Sequence, residues 1–497
     1  MIKQNILRET RFGQRIAEEE LNQLETYFVA TDQWQRVFSG EVDIVYGSKG
    51  SGKSAIYALI DKRKTELFDR NIIVSNAENV RGNTAFSEII SSPPPTERDF
   101  IDLWKLYLLI IVASSIRDYG IRNENTDRIV SVLEEAKLLP NEASISQLFR
   151  LARGFIWKQL FPDIDSVETT ISFDPTTGLP IFVRNTKRRA ESAGQPIRMP
   201  LDDLLGAANR ALSQSDFTVW VLFDRLDVAF NDNPELEKNA LRALFRTYND
   251  IKGFDYVCLK IFVRDDIWDR ITEGGFSEAS HITKTTKIDW SYENLVNLFI
   301  RRLLSNQSVV DFLKIEPKDI VEDFEMQEII LKRVLPDKVE TGNNPLTFRW
   351  MINRIQDATG KPAPRELIHL SEMIREKQVE RLERGEDEPE QDQLFERSVF
   401  KLALKDVSKV RYEQTFKAEN PSLSEYTDKL KGGKTEHSIV SLCIAWSCSS
   451  DIAQKTCDRL VKSGFFERRS QSGSDTYWVP FLYRDALELT QGRAAEE

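Results

Sequence analysis

Apolar residues in this chain fall into two kinds of run, whose alternation predicts a parallel sheet covered by helices. Short, nearly continuous apolar stretches at 42–46, 71–75, 217–223 and 256–263 read as strands. The last two have so few polar positions that both faces must be buried, as in strands of parallel sheets. Helix-period runs lie between them, at 55–60, from about 99 to 117, and from about 234 to 248. Residues 118–215 interrupt this alternation as an insertion. It holds helical pieces and a predicted hairpin, 169–173 with 181–183, turned by Asp174-Pro175-Thr176-Thr177-Gly178. The fold class is therefore α/β.

Outside that core the pattern changes. Residues 1–40 are helical in pattern, with Ile16, Leu21, Leu24 and Phe28 at helix-compatible spacings, and are expected to pack on the sheet domain. Residues 291–382 are helical, and 383–390 form a charged, exposed connection. From about 395 to 497 a separate domain is expected. Residues 437–446 read as one helix, and Ser450 or Asp451 caps a second that runs to Lys462 and stops at Gly464. Phe465–Arg469 and Thr476–Val479 then form a hairpin around a Ser/Gly turn. Two helices and a hairpin predict a winged helix. The domain limits are thus 1–40, 41–290 with the insertion at about 118–215, 291–382, and 395–497.

Composition narrows the possible roles. A chain of 497 residues exceeds one ordinary core. No stretch reaches the roughly 20 apolar residues of a membrane helix, and Met1–Asn5 lacks a signal-peptide pattern, so a cytoplasmic protein without membrane contact is expected. Four cysteines without a C-x-x-C pair, and three histidines, give no zinc or disulfide framework. A net charge of −11 argues against sequence-independent nucleic-acid binding by the whole chain. Nucleic acid remains open for two places. One is the basic run Arg184, Lys187, Arg188, Arg189, which reads either as a solvated loop or as a contact for phosphate, nucleic acid or an acidic partner. The other is the winged helix, whose basic and acidic residues nearly balance. A DNA face there needs Lys455, Arg459, Lys462, Arg468 and Arg469 on one side; a protein contact is the other reading.

The sharpest local signal is Gly47-Ser48-Lys49-Gly50-Ser51-Gly52-Lys53-Ser54. It fits G-x-x-x-x-G-K-[ST], between a predicted strand and a predicted helix. Glycines let backbone N–H groups turn toward phosphate oxygens, Lys53 brings a cation to the β- and γ-phosphates, and the Ser54 hydroxyl suits Mg²⁺. The helix N-terminus adds its own attraction for anions. ATP and Mg²⁺ are the expected ligands.

Four further residues complete the candidate site. Asp224 directly follows the strand ending at Phe223, where a carboxylate can hold Mg²⁺ directly or through water. Asp227 is the candidate base for the attacking water, or else caps the next turn. Arg264 ends the following strand and reads either as a γ-phosphate sensor or as the partner of Asp265 or Asp266. Arg365 follows Pro364 at a predicted helix start and is placed to reach nucleotide from a helical lid.

On Gly47–Ser54, Phe223-Asp224-Arg225-Leu226-Asp227, Val263-Arg264 and Pro364-Arg365, the chain resembles ATPases of the AAA+ and STAND branch. Its layout is similar to that of origin-recognition-type ATPases. Arg11-Phe12-Gly13 and Tyr27-Phe28-Val29 resemble a bacterial group of P-loop ATPases found near phage-defence genes. The resemblance implies a parallel sheet of order 5-1-4-3-2, ATP-driven switching, and ring or filament assembly of a homo-oligomer. Assembly would need an arginine finger, for which Arg246 and Arg270 are candidates. Where many relatives carry Glu after the metal aspartate, this chain has Arg225. The functions implied are an ATP-hydrolysing switch controlling a protein effector encoded nearby, in antiphage defence; an ATP-regulated DNA-binding protein; or an ATP-binding scaffold with little turnover.

Overall fold

The computed structural model describes residues 2–14, 20, 23–77, 96–140, 144–160, 164–173, 180–188, 200–226, 234–272, 276–471 and 474–495. Its strands are β1 (Ile44–Gly47), β2 (Ile72–Asn76), β3 (Ile164–Phe173), β4 (Pro180–Arg188), β5 (Thr218–Phe223), β6 (Val257–Arg264), β7 (Thr285–Lys287), β8 (Lys434–Ser438), β9 (Glu467–Gln471), β10 (Ser474–Trp478) and β11 (Thr490–Arg493). The chain separates into two compact units. One comprises Asp32–Gly47 and Lys53–Lys287; the other comprises Met1–Thr31, Ser48–Gly52 and Ile288–Glu497.

The first unit is built on a five-stranded sheet of order β2-β5-β6-β1-β7. Every neighbouring pair is parallel. Numbered along the sheet's own strands this is 2-3-4-1-5, the expected 5-1-4-3-2 read from the other edge. Burial explains the apolar runs: Val219 through Phe223 and Leu259 through Val263 are all inaccessible. The one charge in that region, Lys260, is fully enclosed yet satisfied. Its ammonium donates to Val42 O at 2.7 Å and Asp43 Oδ1 at 2.8 Å, and lies 4.4 Å from the Trp220 ring centre. A buried ammonium is tolerable only with such partners.

The insertion carries helices at Glu124–Glu135, Ile145–Leu160 and Leu201–Gln214. Between the last two, β3 pairs antiparallel with β4, Ile171 opposite Phe182. The expected turn at 174–178 lies outside the described residues. Arg184, Lys187 and Arg188 belong to β4. The solvated-loop reading of this basic run is corrected there, because the backbone ladder continues through it, pairing Arg184 with Thr169 and Arg188 with Ile164; Arg189 lies outside the described residues.

The second unit is mainly helical and carries a four-stranded sheet. Helices Tyr292–Leu304, Phe324–Val334, Thr347–Ile355 and Pro364–Glu383 share one apolar core with Ile6, Leu7 and Phe12. Residues of the N-terminal segment thus pack within this unit: the Lys3 ammonium donates to Pro389 O at 2.6 Å, and Arg302 Nη2 to Glu20 Oε2 at 2.9 Å. Ile16 and Leu21 lie outside the described residues. The C-terminal region forms a winged helix, with helices Ile439–Trp446 and Ser450–Lys462 and the β9–β10 hairpin in a sheet of order β11-β8-β10-β9. His437 sits in β8 instead of starting the first helix. The reason is local: Ser438 accepts from the Ser441 amide while the Ser441 hydroxyl accepts from the Ser438 amide, fixing the helix start at Ile439.

A continuous helical rod precedes the winged helix. It runs from Arg397 to Val410, through a π turn at Arg411–Phe416, to Lys417–Glu419. The enclosed Arg411 guanidinium donates to Glu366 Oε1 at 3.1 Å and lies 3.6 Å from Asp357 Oδ2. Burial acts to lower its pKa, but Tyr483, Glu366 and Asp357 outweigh that and hold the cation firmly protonated. Removing one member of a buried ionic group leaves the others uncompensated. Arg411→Met is therefore expected to destabilise the protein by about 3–5 kcal/mol in chemical denaturation; a change below 1 kcal/mol would contradict this reading. Among the described residues, no helix is long and apolar enough to cross a membrane.

Candidate functional site

The motif at Gly47–Ser54 occupies the strand–loop–helix junction that its sequence predicted. Gly47 ends β1, and Lys53 begins the helix Lys53–Lys62. Gly50 and Gly52 take φ of +77° and +103°, where a side chain is strained. Gly50 has a second constraint: a Cβ there would lie 3.0 Å from Arg365 Cβ. Lys53 is 9 % exposed, and its ammonium donates to Gly47 O at 2.7 Å and so joins the two ends of the loop. Lys49 pairs with Glu419 at the end of the helical rod. The indole N–H of Trp290 donates to Ser51 O at 2.8 Å.

The loop's setting is suited to phosphate. The Ser51 hydroxyl is buried with no hydrogen-bond partner among the described residues. An unmet buried hydroxyl is costly unless something polar reaches it, and a phosphate oxygen can. The following helix contributes its N-terminal amides and dipole.

Asp224 lies one residue beyond β5 and is only 5 % exposed. The Ser54 hydroxyl donates to Asp224 Oδ2 at 2.9 Å. Two adjacent ligands of an octahedral Mg²⁺, each about 2.0–2.1 Å from the metal, stand about 2.9 Å apart. The hydroxyl–carboxylate pair therefore fits this ion, whose other positions phosphate and water would fill. Arg225 follows with φ of +55°, a left-handed conformation that costs an arginine about 1–2 kcal/mol. That turn redirects the chain immediately after the carboxylate. Asp227 lies outside the described residues.

Sheet register brings the other strand end alongside. Gly47 pairs with Arg264, the last residue of β6. Of the two readings for Arg264, the ion pair is the one seen: Nε and Nη2 reach the two Asp266 oxygens at 2.8 and 3.1 Å. Arg365 stands in the first turn of the helix Pro364–Glu383, with Pro364 at its first position, against Gly50. Of the arginine-finger candidates, Arg246 pairs with Glu97 at 2.8 Å, and the Arg270 side chain lies outside the described residues. Trp290 and Glu419 were missed from sequence. Each is distant along the chain, and neither lies in a recognisable motif.

The basic set of the winged helix is divided. Arg468 pairs with Asp458, and Arg469 makes two bonds to Glu467, both at 2.9 Å. As neighbours on β9 they project to opposite faces.

No protein-family model and no curated protein matches the chain. Among solved structures it is similar to the Aeropyrum pernix ORC1 protein in complex with DNA, at 11% identity and TM-score 0.34, over 90% of this chain and 86% of that one. It is similar to the Aeropyrum pernix ORC2 protein in ADPNP–ADP complexes, at 11% identity and TM-score 0.31, over 91% and 90%. It is also similar to Cdc6p from Pyrobaculum aerophilum, at 10% identity and TM-score 0.28, over 92% of each chain.

Proposed function

We propose that this chain binds ATP with Mg²⁺ at Gly47–Ser54 and hydrolyses it as a molecular switch. The observation that carries the reading is the Ser54–Asp224 hydrogen bond. It joins the motif's hydroxyl to a buried carboxylate at another strand's end, at the spacing Mg²⁺ requires. In this reading the loop amides, the Ser51 hydroxyl and the Lys53 ammonium hold the phosphates. Ser54 and Asp224 hold the metal, which supplies charge neutralisation on the β- and γ-oxygens. Asp227 is assigned as the base that orients water, and Arg264 as the γ-phosphate sensor, which would have to leave Asp266 to act.

The region 291–382 is proposed to serve as a lid. The support is the packing of Ala363 and Arg365 against Gly50, which puts the start of its last helix on the loop. A change in the loop's occupancy would then displace that helix, and the switch would pass its state to a protein partner. Phosphate release from Mg²⁺-ATP by the full chain tests the activity. Turnover that stops when Mg²⁺ is chelated is expected. Metal-independent turnover would contradict the assignment of Ser54 and Asp224.

A further inference from the structure

A tryptophan far along the chain from the motif is hydrogen-bonded to one of its peptide carbonyls. Trp290 stands between β7 and the helix Tyr292–Leu304, half-buried against the helical core. Its indole N–H donates to Ser51 O at 2.8 Å, and its Cζ2 would lie 4.0 Å from a Cβ on Gly52. A trans peptide is planar, with its C=O and N–H pointing in opposite directions. Holding Ser51 O on the indole side therefore turns the Gly52 N–H to the other side. With φ of +103°, Gly52 has a backbone that would otherwise sample many orientations, since glycine carries little intrinsic preference.

We propose that Trp290 is a positioning residue for the phosphate loop: its indole N–H locks the Ser51–Gly52 peptide so that the Gly52 amide is presented to a phosphate group. The inference rests on the reading of Gly47–Ser54 as a nucleotide site. The Gly52 amide precedes Lys53, at the entry to the helix. An amide held there before the ligand arrives adds a directed donor without an ordering cost at binding. The ligand recognised through it is a di- or triphosphate, or free pyrophosphate. A nucleoside monophosphate places no second phosphate in the loop and gains little from it.

Trp290→Phe keeps a ring and removes the donor. In the full chain it is expected to weaken binding of ADP and ATP about tenfold each, the consequence of one lost hydrogen bond and a freed peptide. AMP affinity and the melting temperature without ligand should stay at wild-type values. Wild-type ADP affinity in this variant, or an equal loss for AMP, would overturn the proposal. Absence of ADP binding by the wild-type chain would instead remove the nucleotide-site reading itself. A second measurement needs no variant. Hydrogen exchange on the wild-type protein should show protection rising together in peptides covering 47–54 and 288–292 when pyrophosphate is added. Protection confined to 47–54 would overturn the coupling.

Discussion

Lys53→Ala is expected to lower ATP affinity and turnover by about 100-fold or more, equivalent to at least about 2.7 kcal/mol. The lysine's ammonium is the one side-chain cation supplied by the motif's G-K-[ST] end, and it is largely enclosed, so its charge acts in a medium less polar than water. It is anchored by Gly47 O at 2.7 Å, which holds the side chain along the loop instead of in solvent. Alanine removes both the charge and that anchor. The fold should survive, because alanine is the best helix former and residue 53 opens a ten-residue helix. Phosphate-release assays and nucleotide titration on the same preparation separate the two effects, with an unchanged melting temperature in the absence of ligand. Wild-type turnover in Lys53→Ala would remove the loop from the chemistry.

Asp224→Asn is expected to cut Mg²⁺-dependent turnover by about 100- to 1,000-fold while leaving metal-free nucleotide binding close to wild type. The substitution is nearly isosteric, and the Ser54 hydroxyl can still donate to the amide oxygen where it now meets Asp224 Oδ2 at 2.9 Å. Packing is preserved and the anionic oxygen is lost. The effect should therefore appear as a rightward shift of the Mg²⁺ titration, a signature that general damage to the fold does not produce. Titration curves that superimpose on the wild type would place the metal elsewhere.

These two residues were legible in the sequence because each is fixed by a local pattern. Gly47–Ser54 carries its spacing within eight residues, and Asp224 is located by the buried strand it ends. The strands at 44–47, 72–76, 218–223 and 257–264 were readable from their apolar runs, whereas the order of the sheet came only with the family resemblance. The fifth strand, Thr285–Lys287, was not among the strands read from the chain, since three residues with two threonines and a lysine show neither an apolar run nor an alternation. The end of strand β8 was merged into a helix because His437 stands next to an apolar helical run, and only the Ser438–Ser441 capping pair separates them. Arg264 shows a different limit. Its place at a strand end was readable, but its choice of Asp266 depends on side-chain geometry two residues along. Trp290 and Glu419 meet the loop from more than two hundred residues away, and no sequence period encodes such a contact.

Those distant contacts hold the middle of the loop. Lys49 is held by Glu419, at the end of the rod that also carries Arg411 against Glu366, the neighbour of Arg365. Gly50 is held by Arg365 itself. The middle of the loop thus belongs by contact to the helical unit, while Gly47 and Lys53 belong to the sheet unit.

Calorimetric titration of the full chain with ADP, in Mg²⁺ and again in chelator, tests the central claim most directly. One site per chain is expected in Mg²⁺, with binding that weakens in chelator and a signal that is lost in Lys53→Ala. Binding of equal strength by the wild type and Lys53→Ala, or no binding by the wild type, would contradict it.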